Sequence, residues 1–188
     1  MKSFAPLLLA LVLSHAAAAE DPAVHRYAAS GSIEIAFTPG ERIDRLIIAA
    51  IDGARSEVLV QAYSFTDHAI ARSLVRARHR GVTVRVVADK EQARTLPQNV
   101  LPELMAGAVD VWLDGNFQAP HNKVIVIDAD SPHATTITGS YNFTVAAQRG
   151  NAENIIMLRD NAPVARAYRD NWERLRAGAV VWSAEAIR

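Results

Sequence analysis

The chain has 188 residues, 20 Lys and Arg against 20 Asp and Glu, no cysteine, and half of its residues hydrophobic. That length holds one well-filled core, since domains run to about 100–200 residues, and leaves little for a second unit. The absence of cysteine excludes a disulfide framework, a thiol nucleophile and thiolate-based zinc sites, and the balanced charge argues against coating nucleic acid through bulk positive potential. Any site for a polyanion must be local.

The N-terminus reads as a secretory signal. Lys2 gives a positive start, Phe4 to Leu13 is apolar apart from Pro6, and Ala17-Ala18-Ala19 offers small residues for cleavage near Ala19. Residues 1–19 are therefore expected to be removed, leaving a periplasmic or secreted protein with residues 20–31 as a linker and 32–188 as one catalytic domain. The apolar run is about half of the ~20 residues a membrane span requires. After the linker, Ser32–Phe37 alternates as a strand and Thr38-Pro39-Gly40 breaks it. Ile43, Leu46, Ile47, Ala50, Ile51 and Ala54 recur at helical spacing. Val58–Ser64 reads as a strand, and Asp67 caps a helix that runs to about Arg80, with Gly81 at its left-handed end. Val82–Ala88 is a β-branched strand, followed by a helix around Asn99–Ala106, a strand Val109–Leu113 and a polar loop Asp114–Pro120. His121–Asp128 and Thr135–Gly139 are strands flanking a turn with Asp130, Ser131 and Pro132. Glu153–Leu158 is a further strand, and Pro163–Arg176 a closing helix with Val164, Ala167, Tyr168 and Trp172 inward. Strands alternating with helices imply an α/β fold: a mixed, largely parallel β-sheet flanked by helices on both faces.

Chemistry is concentrated between Pro120 and Asn154. His121 and Lys123 are two apart on a strand, so an imidazole and an ammonium share one face. Ser140 and Asn142, again two apart, follow Gly139, which permits close backbone approach. Their hydroxyl and carboxamide suit the non-bridging oxygens of a phosphate. Glu153 supplies a carboxylate able to orient a histidine through its ring N–H. Asp128 lies seven residues from His121 and five from Lys123. Odd separations put it on the opposite strand face, so it is expected to be structural.

His121-x-Lys123 with Asp128 four residues beyond the lysine, then Gly139-Ser140-x-Asn142 and Glu153, resembles the HKD motif of the phospholipase D superfamily. Ala62-Tyr63-Ser64-Phe65-Thr66, Gly139 to Thr144 and Glu153-Asn154 extend the resemblance to roughly Ile33–Trp172, nearest to the small single-motif periplasmic endonucleases. Within that superfamily, one motif histidine attacks phosphorus to form a covalent phosphohistidine and a second protonates the leaving oxygen. Among the six histidines only His121 is followed two residues later by Lys. The resemblance therefore implies a homodimer with its active site across the two-fold axis. It also implies that Lys123, Ser140 and Asn142 hold the phosphate oxygens, that Glu153 orients the His121 ring, and that no cofactor or metal takes part.

Other features have plainer readings. Tyr63, Phe65 and Phe143 suit the core or a pocket wall better than base stacking. Arg72, Arg76, Arg78 and Arg80, with His79, form a solvated helix face or the wall of a polyanion groove. His25, His68, His79 and His133 lack partners at metal-ligand spacing. The expected activity is metal-independent, non-specific hydrolysis of DNA or RNA. Phospholipid hydrolysis, of cardiolipin for example, is the alternative, and a non-catalytic anion-binding module the third reading.

Overall fold

The computed structural model describes residues 24–183. The expected signal segment, the start of the linker and the last five residues lie outside the described residues. In chain order the elements are β1 (Ser32–Thr38), α1 (Ile43–Asp52), β2 (Glu57–Ala62), α2 (His68–His79), β3 (Thr83–Asp89), α3 (Lys90–Thr95) and α4 (Leu101–Ala106). Then come β4 (Asp110–Asp114), β5 (Lys123–Ile127), β6 (Thr135–Gly139), α5 (Val145–Arg149), β7 (Glu153–Arg159), α6 (Ala162–Gly178) and β8 (Val180–Val181). The eight strands form one sheet in the order β1-β7-β6-β5-β2-β3-β4-β8.

The mixed α/β class stands, but parallel pairing is the minority. Only β2–β3 and β3–β4 run parallel; the five other pairings are antiparallel. A parallel return needs a crossover of a dozen or more residues, usually helical. The helices α2 and α3–α4 provide this between β2, β3 and β4. Between β5 and β6 only the short segment 128–134 intervenes, so the chain reverses as a hairpin.

Alternation along the strands divides the core into two layers. Val58, Val60, Val84, Val86, Ile125 and Ile127 face α1 and α2, meeting Ile43, Ile47, Ile51, Ile70 and Leu74, all fully or almost fully buried. Leu59, Val87, Val124 and Val126 face α6, where Trp172 donates its indole N–H to the Val60 carbonyl at 2.9 Å. Burying this many branched side chains at about 25 cal/mol per Å² is the main source of stability in a chain without cross-links. Local chemistry sets the helix boundaries: Asp67 accepts from the Ala69 and Ile70 N–H groups, and Gly81 follows α2 at φ +89°.

Three elements were not expected. The helices α3 and α5 have six and five residues, are capped by Asp89 and Thr144, and are too short and polar to show an apolar period; β8 has two residues. In α6 the fully buried residues are Ala165 and Trp172, while Val164, Ala167 and Tyr168 are half-buried and line a surface cleft.

Asp128 stands just past the end of β5 at φ +50°, so strand parity no longer governs its direction. Its buried carboxylate accepts from the backbone N–H groups of Arg55, Ser56 and Glu57 at 2.9, 2.7 and 2.9 Å and from the Ser56 hydroxyl at 2.7 Å. Burial pushes this carboxyl's pKa up, but hydrogen bonds from Glu57, Ser56 and Arg55 outweigh it and hold the group below its ordinary value. The result is a pin between the start of β2 and the end of β5, at the sheet edge away from His121. Asp128→Asn is expected to lower the unfolding free energy by about 2–4 kcal/mol in urea titrations. Because the folded-state pKa is depressed, this contribution is complete above the ordinary carboxyl range and disappears as pH falls through the folded value. The variant should therefore lose part of the wild-type acid sensitivity.

Candidate active site

One edge of the sheet gathers nearly all the chemistry. Here β1, β2, β3, β4 and β6 end and β5 and β7 begin, as the pairs Ala62↔Lys123, Asp89↔Asp114 and Thr38↔Glu153 fix. Ligand sites in open α/β sheets lie beyond the carboxyl ends of their strands, where loops diverge and backbone groups are left free.

His121 precedes β5 and is exposed, while Lys123, its first residue, is only 6% exposed. The Lys123 Nζ lies 2.9 Å from His121 Nδ1 and donates to the His121 carbonyl at 2.8 Å. Tyr63 completes the cluster: its ring centre is 4.4 Å from that of His121 and 4.9 Å from the ammonium. Desolvation lowers the Lys123 pKa from 10.5 to about 8, opposed by the negative charge of Glu153. With no carboxylate in contact among the described residues, this buried cation is electrostatically incomplete, and an anion between it and the imidazole would complete it.

The neighbouring strand brings up the second group. Val124 pairs with Thr138, so continuing the ladder sets Gly139 and Ser140 beside Lys123 and Asn122. At Gly139, φ is +157° and a Cβ would sit 2.2 Å from the Asn154 carbonyl oxygen, so only glycine allows this approach. The Ser140 hydroxyl donates to Glu153 at 2.6 Å and accepts from the Asn154 backbone N–H at 3.1 Å. Asn142 Oδ1 is buried without a hydrogen-bond partner among the described residues.

Glu153 is not on the histidine. Its carboxylate accepts from Ser140 and, at 2.9 Å, from Asn151. The sheet order explains this: β6 lies between β7 and β5, so Glu153 meets the end of β6 first. Phe65 and Phe143 are buried edge-to-face at 5.5 Å, and the Phe143 carbonyl accepts from the Thr66 and Asp67 N–H groups at 3.0 Å each. These rings fasten the two site loops together. Tyr63 forms the site wall, and its hydroxyl accepts from Gln92 of α3 at 3.3 Å. Gln92 has no signal in the sequence, because α3 has no apolar period, and Asn154, part of the motif resemblance but without an expected role, also reaches Ser140 through its amide at 3.3 Å.

The α2 arginines are largely tied down within the chain. Arg76 grips Asp52, Arg78 donates to the Ala108 carbonyl and Arg80 to that of Ile51. His68 meets Glu103 and His133 meets Asp160. Among the described residues no group of three or more His, Cys, Asp or Glu is arranged to hold a metal ion, and no helix is long and apolar enough to cross a membrane.

Known proteins resemble this chain over the same region. The family model described as cardiolipin synthase, PLD-like domain, matches residues 47–176. A Rickettsia prowazekii protein named phospholipase D is 36% identical over 141 residues, which span 75% of this chain and 66% of that protein. The mitochondrial cardiolipin hydrolase of Xenopus laevis is 30% identical over 131 residues, 70% of this chain and 59% of its own length. The chain thus spans about two thirds or less of these two curated relatives. The solved structure of Nuc from Salmonella typhimurium, a phospholipase D family member, superposes with a TM-score of 0.75 at 30% identity, covering 81% of this chain and 99% of that one. With the family model matching residues 47–176 and the fold superposing on that of Nuc, the chain belongs to the phospholipase D superfamily of phosphodiester-cleaving enzymes.

Proposed function

We propose that the protein is a secreted or periplasmic, metal-independent nuclease that hydrolyses DNA or RNA in a site shared by two copies. The observation that carries this reading is the exposed His121 imidazole on a buried, anion-seeking Lys123 ammonium, one such pair per chain. In the first step His121 Nε2 of one copy attacks phosphorus. The ester oxygen leaves with a proton from His121 of the second copy. That second imidazole then removes a proton from water, whose oxygen displaces the phosphohistidine and regenerates both rings. Lys123 and Asn142 of both copies donate to the equatorial oxygens as negative charge builds, with Ser140 joining when its hydroxyl turns from Glu153. Glu153, once the Ser140 hydroxyl leaves it, would turn to the His121 ring and hold Nδ1–H while Lys123 turns to phosphate.

The second copy has a surface to meet. Ile33, Ile35 and Phe37 of edge strand β1 are each 57% exposed, and they pair with Leu158, Ile156 and Asn154 on the same sheet face. Asn154 in turn bonds Ser140, so this apolar face runs into the site. A contiguous exposed apolar face on a sheet edge is a liability for a monomer and a natural isologous contact for a dimer. The names of the curated relatives favour a second reading, hydrolysis of a phospholipid such as cardiolipin.

Activity should be assayed on single-stranded DNA, RNA and cardiolipin vesicles with excess EDTA present, for wild type and His121→Asn in parallel. The proposal expects cleavage of nucleic acid that withstands chelation and falls at least about 1,000-fold in the variant. Hydrolysis confined to the vesicles, or restored only by added metal, contradicts it. Ile35→Asp, at the centre of the exposed stripe, is expected to sediment as a monomer with under about one-hundredth of wild-type activity. A fully active monomer would rule out the shared site.

A further inference from the structure

Two clefts meet on α6, and the proposed mechanism uses only their His121 end. One, of about 470 Å³, starts at His121 and is bounded by Phe117 and Arg174; the other, of about 580 Å³, lies between α6 and the incoming segment around His25 and Tyr27. Asn171 and Arg174 line both, so the two clefts adjoin on α6, and together they run as a groove from His121 along the helix. From Arg174 back to Val164 this is about 15 Å of helix at 1.5 Å per residue.

The groove has a consistent chemistry. Phe117 is 52% exposed in the loop before His121, a ring face offered to solvent beside the reacting group. Arg174 projects from α6 with its guanidinium steadied by Asn171 Oδ1 at 2.6 Å, and no carboxylate pairs with it among the described residues. Tyr168 and the exposed Tyr27 follow further along, and the segment is held there by Asn161, whose amide donates to the Ala28 carbonyl at 3.4 Å. Two acids border the groove. Asp114 is buried with one oxygen taken by Asn116, and Asp170 lies 3.9 Å from Arg169.

We infer that this groove is a subsite for single-stranded nucleic acid on one side of the scissile phosphate, with Phe117 stacking a base and Arg174 holding a backbone phosphate. The inference rests on the nuclease reading and extends it from the reacting phosphorus to the strand. Aromatic faces alternating with a cation bind unpaired strands without sequence preference, because every base offers a π-face. Bases within a duplex are already stacked and cannot meet Phe117. An acyl chain is a poorer occupant, since Asp170, Asn171 and Arg174 interrupt the apolar wall.

The test compares wild type, Phe117→Ala, Arg174→Ala and the double variant on an oligothymidylate of about 20 nucleotides and on bis(4-nitrophenyl) phosphate, which has neither a nucleobase nor a second phosphate to occupy the groove. Each single change should lower kcat/KM on the oligonucleotide about fivefold and the pair about twentyfold, with the small diester within about twofold of wild type. Arg174→Ala should also flatten the log–log salt dependence on the oligonucleotide by about 0.7. Unchanged oligonucleotide cleavage by the double variant, or equal losses on both substrates, overturns the groove and leaves the nuclease reading intact. A wild-type protein that cleaves the small diester but spares the oligonucleotide overturns the nuclease reading itself, and the groove with it.

Discussion

The site depends on a lysine ammonium kept out of water with no carboxylate against it among the described residues. Lys123 is confined by the start of β5, the His121 carbonyl and the Tyr63 ring, none of which carries the negative charge that burial calls for. Its lowered pKa expresses that deficit. For a base the sign is unfavourable to folding: the cost is fully present below about pH 8 and is relieved as pH rises toward the ordinary value of 10.5. An anion bound at Lys123 would restore the stability given up at neutral pH, the usual exchange at a reactive centre. A phosphodiester carries one negative charge and two non-bridging oxygens, and so answers both the lysine and the donors around it.

The sheet makes the placement precise without cross-links. Asp128 fixes the register of β5 against β2 at one edge, and at the other the zipped Phe65 and Phe143 loops hold Tyr63 and Asn142 against the motif. Gly139 lets β6 approach β7 until Ser140 shares Asn154 with the next strand. Shifts at these junctions would separate Lys123 from Ser140 and Asn142. The same sheet leaves the outer face of β1 and β7 uncovered, next to a motif that occurs once per chain. A structural deficit and a chemical one thus lie side by side, and the proposed second copy would satisfy both.

Much of this was legible in the sequence because it rests on period and spacing. Val58, Val60, Val84 and Val86 declare their strands, Ile43, Ile47 and Ile51 declare α1, and His121, Lys123, Ser140 and Asn142 sit at separations that place them on adjacent strand ends. Pairing direction was not legible, because alternation is the same in parallel and antiparallel strands; only connection length separates them. The Glu153 carboxylate was expected on His121 and lies on Ser140, since strand order, which no local pattern encodes, inserts β6 between them. Val164, Ala167 and Tyr168 read as core because the helical period marks an apolar face without saying what covers it. Here the cover is the segment around Tyr27 and an open groove.

The most direct measurement is the titration of Lys123 itself, followed by NMR on protein with isotope-labelled lysine, alone and with saturating vanadate or inorganic phosphate. Residue numbers 2, 90 and 123 are the only lysines, so assignment by substitution is simple. The account predicts a midpoint near 8 in the free protein, displaced upward when the oxyanion binds, because the ion supplies the missing charge. A midpoint near the ordinary 10.5 that ignores the oxyanion would contradict it.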